Sequence, residues 1–430
     1  MGRQLSLALA CLLLTAAGAR AQAVLTLEQA LEYSRAHAPE LRQAATTVQA
    51  AQARVDIAQA PRLPQLTGTV GYARNTHNGS GAAIGGETPA RDSLDTRAQF
   101  GASLRASQLL FDFGQTRSNV RAAQASAQAQ VENARGTELD VDHNVRGAFL
   151  DAAATKALVQ VAQEALDNQQ RHLAQIQGFV EVGTRPAIDL AQSRTEVATA
   201  RLALVRAQNN YAVAKSQLER AMGFSPPGEY DVSIEVPAAE PEENGALELL
   251  LQQAERTRPE FAALRMQTRA QELSVDAAEA GYAPSVELAG SVSEGGSDFD
   301  ELAFNAGLGV NLTWPIFSGG VTRARVREAS ATLSGLRIER ELLRNDTRLE
   351  LERAMLSLKA AQEALDIASE VVVYARERLT LAEGRYTAGV GNVIELGDAQ
   401  LVLSNAQSQR VSAAYELGQA RLELRRALGR

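Results

Sequence analysis

Cysteine is all but missing: Cys11 is the only one in 430 residues, and it falls near the very start. The rest of the chain can build no disulfide and no thiol chemistry. Histidine is scarce too. His37, His77, His143 and His172 show no ligand spacing with one another or with a cysteine. No glycine-rich phosphate loop precedes a helix, and no nucleophile elbow occurs. The chain therefore reads as a protein that is not an enzyme and uses no cofactor and no metal. Aromatic residues make up only 4% of a chain that is 45% hydrophobic. Its apolar content is thus mainly Ala, Leu and Val, which suits closely packed helices better than one broad globular core. Basic clusters are also lacking, and the acidic balance argues against nucleic acid as a partner.

The first residues resemble a leader. Met1-Gly2-Arg3 carries positive charge, Leu5 to Ala17 is apolar, and Ala19-Arg20-Ala21 and Ala21-Gln22-Ala23 both fit small-x-small cleavage. The apolar stretch is too short for a stop-transfer helix. Residues 1–21 are expected to be a secretory signal. Cys11 offers a second reading, a lipidated N-terminus, although the apolar run continues past it through Leu14. Removing residues 1–21 takes Arg3, Arg20 and Cys11 away, leaving 41 basic and 51 acidic residues, net −10. A secreted chain without disulfides needs extensive burial or oligomerisation instead.

What is present is present twice. Pro39-Glu40-Leu41 returns as Pro259-Glu260-Phe261 and Pro64 as Pro284, at an offset of 220. Val182-Gly183 with Ile188-Asp189-Leu190 returns as Ala388-Gly389 with Ile394-Glu395-Leu396, at an offset of 206. Ala221-Met222-Gly223 and Ala427-Leu428-Gly429 keep that second offset. The 14-residue difference lies between Pro64 and Phe111. So long a period excludes solenoids and propellers and points to a duplicated half-protein.

Each half carries long heptad seams. From Leu351 the apolar or small positions run Ala354, Leu358, Ala361, Leu365, Ala368, Val372, Ala375, Leu379, Ala382 and Tyr386. Steps of three and four alternate, which implies a left-handed supercoil. The positions 206 earlier keep the seam from Val145 to Val180, with Thr155 and Gln169 its only polar members. Returning seams run from Leu190 to Ala221 and from Leu396 to Ala427, the latter interrupted by Arg410. No proline occurs from Gln115 to Val182 or from Val321 to Ala388. Each such helix would reach on the order of 100 Å at about 1.5 Å per residue. A shorter helical arm precedes the strands in each half, Leu27 to Ala60 and Leu247 to Ala280. On the helices alone, a purely structural coiled coil remains open.

The segments between helices alternate with period two. Phe304, Ala306, Leu308, Val310, Leu312 and Trp314 share one face, against Asn305, Gly307, Gly309, Asn311 and Thr313. Phe100, Ala102, Leu104 and Ala106 oppose Gly101, Ser103, Arg105 and Ser107. Shorter runs precede them, at Leu66, Val70, Tyr72 and at Val286, Leu288, Val292. Such strands are long enough to cross a membrane when tilted. One hairpin per half is expected, with a long first connection from Asn75 to Thr96 and a tight second one around Gly295-Gly296-Ser297. Four strands with one apolar face leave two open edges, which lipid does not tolerate. Other copies of the chain must complete them; the soluble alternative is a small hairpin packed on helices.

This arrangement resembles the TolC-like outer membrane factor family over essentially the whole mature chain. The resemblance rests on Leu110-Phe111-Asp112-Phe113-Gly114 and Pro315-Ile316-Phe317-Ser318-Gly319-Gly320 at the strand-to-helix junctions. It rests also on Gly384-Arg385-Tyr386-Thr387-Ala388-Gly389-Val390-Gly391, on Glu395-Leu396-Gly397-Asp398-Ala399-Gln400, and on Val182-Gly183-Thr184-Arg185 with Ile188-Asp189-Leu190 at the helix turns. It implies an α+β membrane protein built from a duplicated helix, strand-hairpin and long-helix-hairpin unit. Three copies would form a twelve-stranded outer-membrane β-barrel continued by a periplasmic α-helical coiled-coil barrel. The first repeat would span 22–223, with strands near 66–74 and 98–110 and a helical hairpin over 115–222. An equatorial segment would follow at 224–245. The second repeat would span 246–430, with strands near 286–294 and 302–314 and a hairpin over 320–428.

The resemblance further implies a homotrimeric export duct in outer-membrane lipid, fed by a periplasmic adaptor and an inner-membrane pump of the resistance-nodulation-division (RND) or ABC type. The adaptor would dock on the turns, at Gly183, Thr184, Arg185, Gly389, Val390 and Gly391. Asp189, Tyr386, Glu395 and Asp398 match gate positions. Asp189 and Tyr386 match a hydrogen-bonded pair, and Glu395 and Asp398 match a ring of carboxylates, which narrows a pore and attracts cations. The chain departs from the pattern at Gly391, where the family's best-known member has a bracing arginine; Arg185 holds the equivalent place in the first repeat. Helix N-terminal acids have a plainer use as well, opposing the helix dipole.

Overall fold

The computed structural model describes residues 23–76, 96–223, 230–234, 239, 241–298, 300 and 302–430. The expected leader, most of the Asn75–Thr96 connection with its extra residues, and part of the 224–245 segment lie outside the described residues. The described chain runs β1 (Ala23–Leu25), α1 (Leu27–His37), α2 (Pro39–Gln59), β2 (Gln65–Thr76), β3 (Thr96–Phe111), α3 (Gln115–Glu181) and α4 (Ala187–Met222). It continues with β4 (Tyr230–Val232), α5 (Leu247–Thr257), α6 (Pro259–Ala280), β5 (Ser285–Gly296), β6 (Ala303–Thr313), α7 (Val321–Thr387) and α8 (Val393–Ala427). α3 and α7 are 67 residues each.

The short arms differ from expectation: each is two helices, not one. Pro39 and Pro259 open α2 and α6, and the residue before each is pushed out of helical geometry by the proline ring. Ala38 has φ −57° and ψ 124°, and Arg258 has φ −69° and ψ 126°. Both kinks are buried, but their chemistry differs. Ala38 simply fills space. Arg258, 6% exposed, bonds Glu350 at 2.5 Å, Glu260 at 3.2 Å and the Thr347 hydroxyl at 3.4 Å. Burial alone would raise the Glu260 pKa; the Arg258 guanidinium outweighs it and holds the carboxyl below its ordinary range.

Two compact units emerge, and they do not follow the duplication. One takes Met1–Ala38, Val141–Glu240 and Ser357–Leu422; the other takes Pro39–Asp140, Pro241–Leu356 and Glu423–Arg430. In the first, β1 and β4 pair in parallel. Asp231 of β4 bonds the Lys156 ammonium at 2.7 Å and the Tyr211 hydroxyl at 2.5 Å. Burial opposes the ionised carboxylate, and these two bonds more than compensate, lowering its pKa. The same unit holds a helical core that includes Ile176, Val372, Leu379, Tyr386, Leu396 and Leu403. The seam read along α7 is buried or half-buried at every position from Leu351 to Tyr386, and Arg410 is the exposed interruption in α8.

The second unit contains a four-stranded antiparallel sheet, ordered β2-β3-β5-β6. Its register puts Leu66, Ala106, Gly290 and Leu308 in one row and Val70, Ala102, Glu294 and Phe304 in another on the same face. Thr69, Ser103, Ser293 and Asn305 form a row on the opposite face. The apolar face lies bare, with Val70 87% and Leu308 80% exposed. Among the described residues β2 and β6 are the edges, each paired on one side only. Two details differ from the sequence reading. Gly295 and Gly296 belong to β5 rather than to a turn, and Trp314 lies just past β6, its indole N–H donating to the Tyr282 carbonyl at 3.1 Å. Among the described residues no helix is long and apolar enough to cross a membrane.

The strand-to-helix junctions need two successive left-handed residues. Phe113 and Gly114 have φ 54° and 94°; Gly319 and Gly320, 206 residues on, have 62° and 84°. Asp112 accepts from the backbone N–H groups of Gly114 (3.2 Å) and Thr116 (2.7 Å), capping α3.

Candidate functional site at the helix turns

The turns linking α3 to α4 and α7 to α8 lie in one compact unit. Each reverses the chain through a left-handed glycine, Gly183 at φ 78° and Gly389 at φ 79°. The residues around them are not alike. Thr184 ties back to the Phe179 carbonyl through both its N–H and its hydroxyl, each at 2.9 Å. Pro186 begins α4 without a side-chain cap. In the second turn Asn392 caps α8, its Oδ1 accepting from the Glu395 N–H at 2.7 Å.

Tyr386, on the last turn of α7, is the centre of the site and is 2% exposed. The Phe179 ring packs at 6.3 Å between centroids, tilted by 57°. The Arg185 guanidinium lies 4.5 Å from the Tyr386 ring centre, within cation–π range. Its Nη2 donates to the carbonyls of Tyr386 at 3.0 Å and Gly391 at 3.3 Å. The Tyr386 hydroxyl is buried and has no hydrogen-bond partner among the described residues. Burial raises its pKa, the Asp189 charge raises it further, and Arg185 opposes both.

The expected residues thus separate into three settings. Asp189, 8% exposed in the first turn of α4, shares the field around Tyr386 without the hydrogen bond implied by the resemblance. Glu395 is half-exposed and pairs with Arg385 at 3.1 Å. Asp398 is exposed and lines a cavity of about 750 Å³ among α3, α4, α7 and α8, with Glu196 and Gln400. Gly183, Thr184, Gly389 and Val390 are exposed, whereas Arg185 is half-buried by its contacts. Gly391 is hemmed in: a Cβ there would lie 3.0 Å from the Tyr386 nitrogen and 3.1 Å from the Arg385 carbonyl carbon.

Sequence reasoning missed Phe179, Arg385 and Asn392. The 206 offset pairs Phe179 with Arg385, next to Val180 and Tyr386, and so marks a place where the halves diverge. The spacing of Asn392 and Glu395 is a helix-start signature.

Comparisons with known proteins place this geometry in context. The profile of the family described as outer membrane efflux protein matches residues 27–224 and 250–430. The outer membrane efflux protein BepC of Brucella suis is 26% identical over 309 residues, covering 71% of this chain and 63% of that protein. The cation efflux system protein CusC of Escherichia coli is 28% identical over 300 residues, covering 67% and 60%. The protein CyaE of Bordetella pertussis is 28% identical over 409 residues, covering 94% and 84%. The matched region spans only 60–63% of the length of BepC and CusC. Among solved structures, the CusC crystal structure aligns with TM-score 0.76 at 21% identity, covering 94% of this chain and 92% of that one. The Vibrio cholerae outer membrane protein VceC aligns with TM-score 0.76 at 20% identity, covering 94% and 96%.

Proposed function

The chain belongs to the outer membrane efflux protein family, and from that premise we propose that it is the outer-membrane exit duct of a tripartite export system. The observation that carries this reading is the bare apolar face of a sheet with two open edges. In lipid every backbone polar group must be satisfied, so a sheet of this kind is viable only when closed by further copies. Three chains would contribute twelve strands, with the polar face of each sheet turned to the lumen. The helices would continue the wall into the periplasm, each chain supplying staves from both repeats, 22–223 and 246–430. The segment 224–245 would belt the middle, and residues 1–21 would direct secretion.

The turns would form the inner mouth. Asp189, Tyr386, Glu395 and Asp398 would make the gate, and Gly183, Thr184, Arg185, Gly389, Val390 and Gly391 the surface met by a periplasmic adaptor. An inner-membrane RND or ABC pump would load it. BepC and CusC are named for efflux, CusC for cations, and the toluene efflux pump outer membrane protein TtgF of Pseudomonas putida also matches, at 26% identity. Small molecules are accordingly the cargo class we favour.

The reading expects heat-sensitive trimers in outer-membrane detergent extracts. Asp189→Ala combined with Glu395→Gln should raise the conductance of the closed trimer in planar bilayers. Unchanged conductance would remove the gate assignment while leaving the fold intact, and a soluble monomeric mature protein would overturn the duct itself.

A further inference from the structure

We infer that Arg185 is the latch between the two helix turns of each chain, and that it grips by neutral groups of one chain rather than by a carboxylate. The inference rests on the reading of the turns as the channel's inner mouth only for its consequence, not for the latch itself. Arg185 arises from the α3–α4 turn and reaches across to the α7–α8 turn, where it meets the carbonyls of Tyr386 and Gly391 and the face of the Tyr386 ring.

The acceptors explain why an arginine is used. Tyr386 is in the last turn of a 67-residue helix, where carbonyls lack intrahelical partners and carry the negative end of the dipole. The Tyr386 carbonyl takes the Gly389 N–H at 3.1 Å and still accepts from Arg185. One planar guanidinium can therefore cap the helix, reach the carbonyl beyond it and lie over the ring together. A lysine ammonium has no plane to stack and no fork. The crowding at Gly391 favours an arginine placed in the first repeat rather than the second. A Cβ at 391 would lie 3.0 Å from the Tyr386 nitrogen and 3.1 Å from the Arg385 carbonyl carbon, so a side chain there would require this turn to shift by a few tenths of an ångström.

Separating the turns thus means stripping one cation from two carbonyls and a ring at once. Charged groups stand nearby, namely Asp189 on α4 and the Arg385–Glu395 pair on α7 and α8, but none is an acceptor of the Arg185 bonds.

The test uses the full chain in detergent or nanodiscs, with Val182→Cys and Val390→Cys as a spin-label pair across the two exposed turns. Cys11→Ser in every variant leaves the introduced pair as the only thiols. In the Arg185→Ala background the distance distribution should lengthen and broaden, with Arg185→Lys in between. Planar-bilayer recording of the same variants, without labels, should show the open fraction of Arg185→Ala rising about tenfold, the size of a modest population shift. Turns that stay at the wild-type distance in Arg185→Ala would overturn the latch, and so would Arg185→Lys behaving as wild type, since bare charge would then suffice. Turns that separate with unchanged conductance would support the latch and remove the inner-mouth reading instead.

Discussion

The two helix turns share one backbone but differ in the side chains that face each other. Gly183 and Gly389 differ by one degree in φ, and each begins the same reversal after a 67-residue helix. Around that frame four equivalent pairs have diverged: Phe179 and Arg385, Val180 and Tyr386, Arg185 and Gly391, Pro186 and Asn392. Duplication fixed how the chain turns. The side chains then took complementary parts, the first turn supplying a cation and the second a ring and two acceptors.

Breaking this comparison at Tyr386 should have the largest effect. Tyr386→Ala empties a buried ring site and should cost about 3–5 kcal/mol, whereas Val180→Ala at the half-buried equivalent should cost well under half as much. Tyr386→Phe should be neutral or slightly stabilising, because the hydroxyl it removes is buried without a partner. Heat denaturation of the assembled protein measures all three. Marked loss in Tyr386→Phe would mean that assembly gives the hydroxyl a partner.

The shared backbone is probed by Gly183→Val and Gly389→Val, each forcing a branched side chain into the left-handed region at roughly 1–2 kcal/mol. Equal losses are expected, since neither glycine has neighbours within reach of a Cβ. Unequal melting shifts would show that the turns are less alike than their φ angles. The smallest effect sharpens the difference in capping. Asn392→Ala should cost about 1 kcal/mol, and Pro186→Ala should lose no side-chain cap because none exists. Amide exchange at the start of α8 and α4 would register one change and not the other.

Much of the fold could be read directly from residue order. Period-two alternation marked the sheet, and the α7 seam marked its buried positions, because both patterns are local and repeat many times. The kinks at Ala38 and Arg258 were harder. Pro39 and Pro259 were plain as repeats, yet the helical pattern runs smoothly across them, and only the steric effect of proline on the preceding residue breaks it. Phe113 was harder still: its equivalent Gly319 advertises a left-handed conformation, while a phenylalanine at φ 54° does not. At the turns, the displaced arginine was visible in sequence at 185 and 391. Its partners were not, because a contact between residues 201 and 206 positions apart is decided by packing.

The open edges of β2 and β6 bear on genetics as well as on membranes. A wall assembled from identical chains gives every copy a veto. If closure takes three copies drawn at random from an equal mixture of sound and edge-defective chains, only about one assembly in eight would be free of the defect. Variants that spoil an edge while leaving the helices able to associate should therefore behave as dominant. Variants that never reach the assembly should be masked by a good copy of the gene.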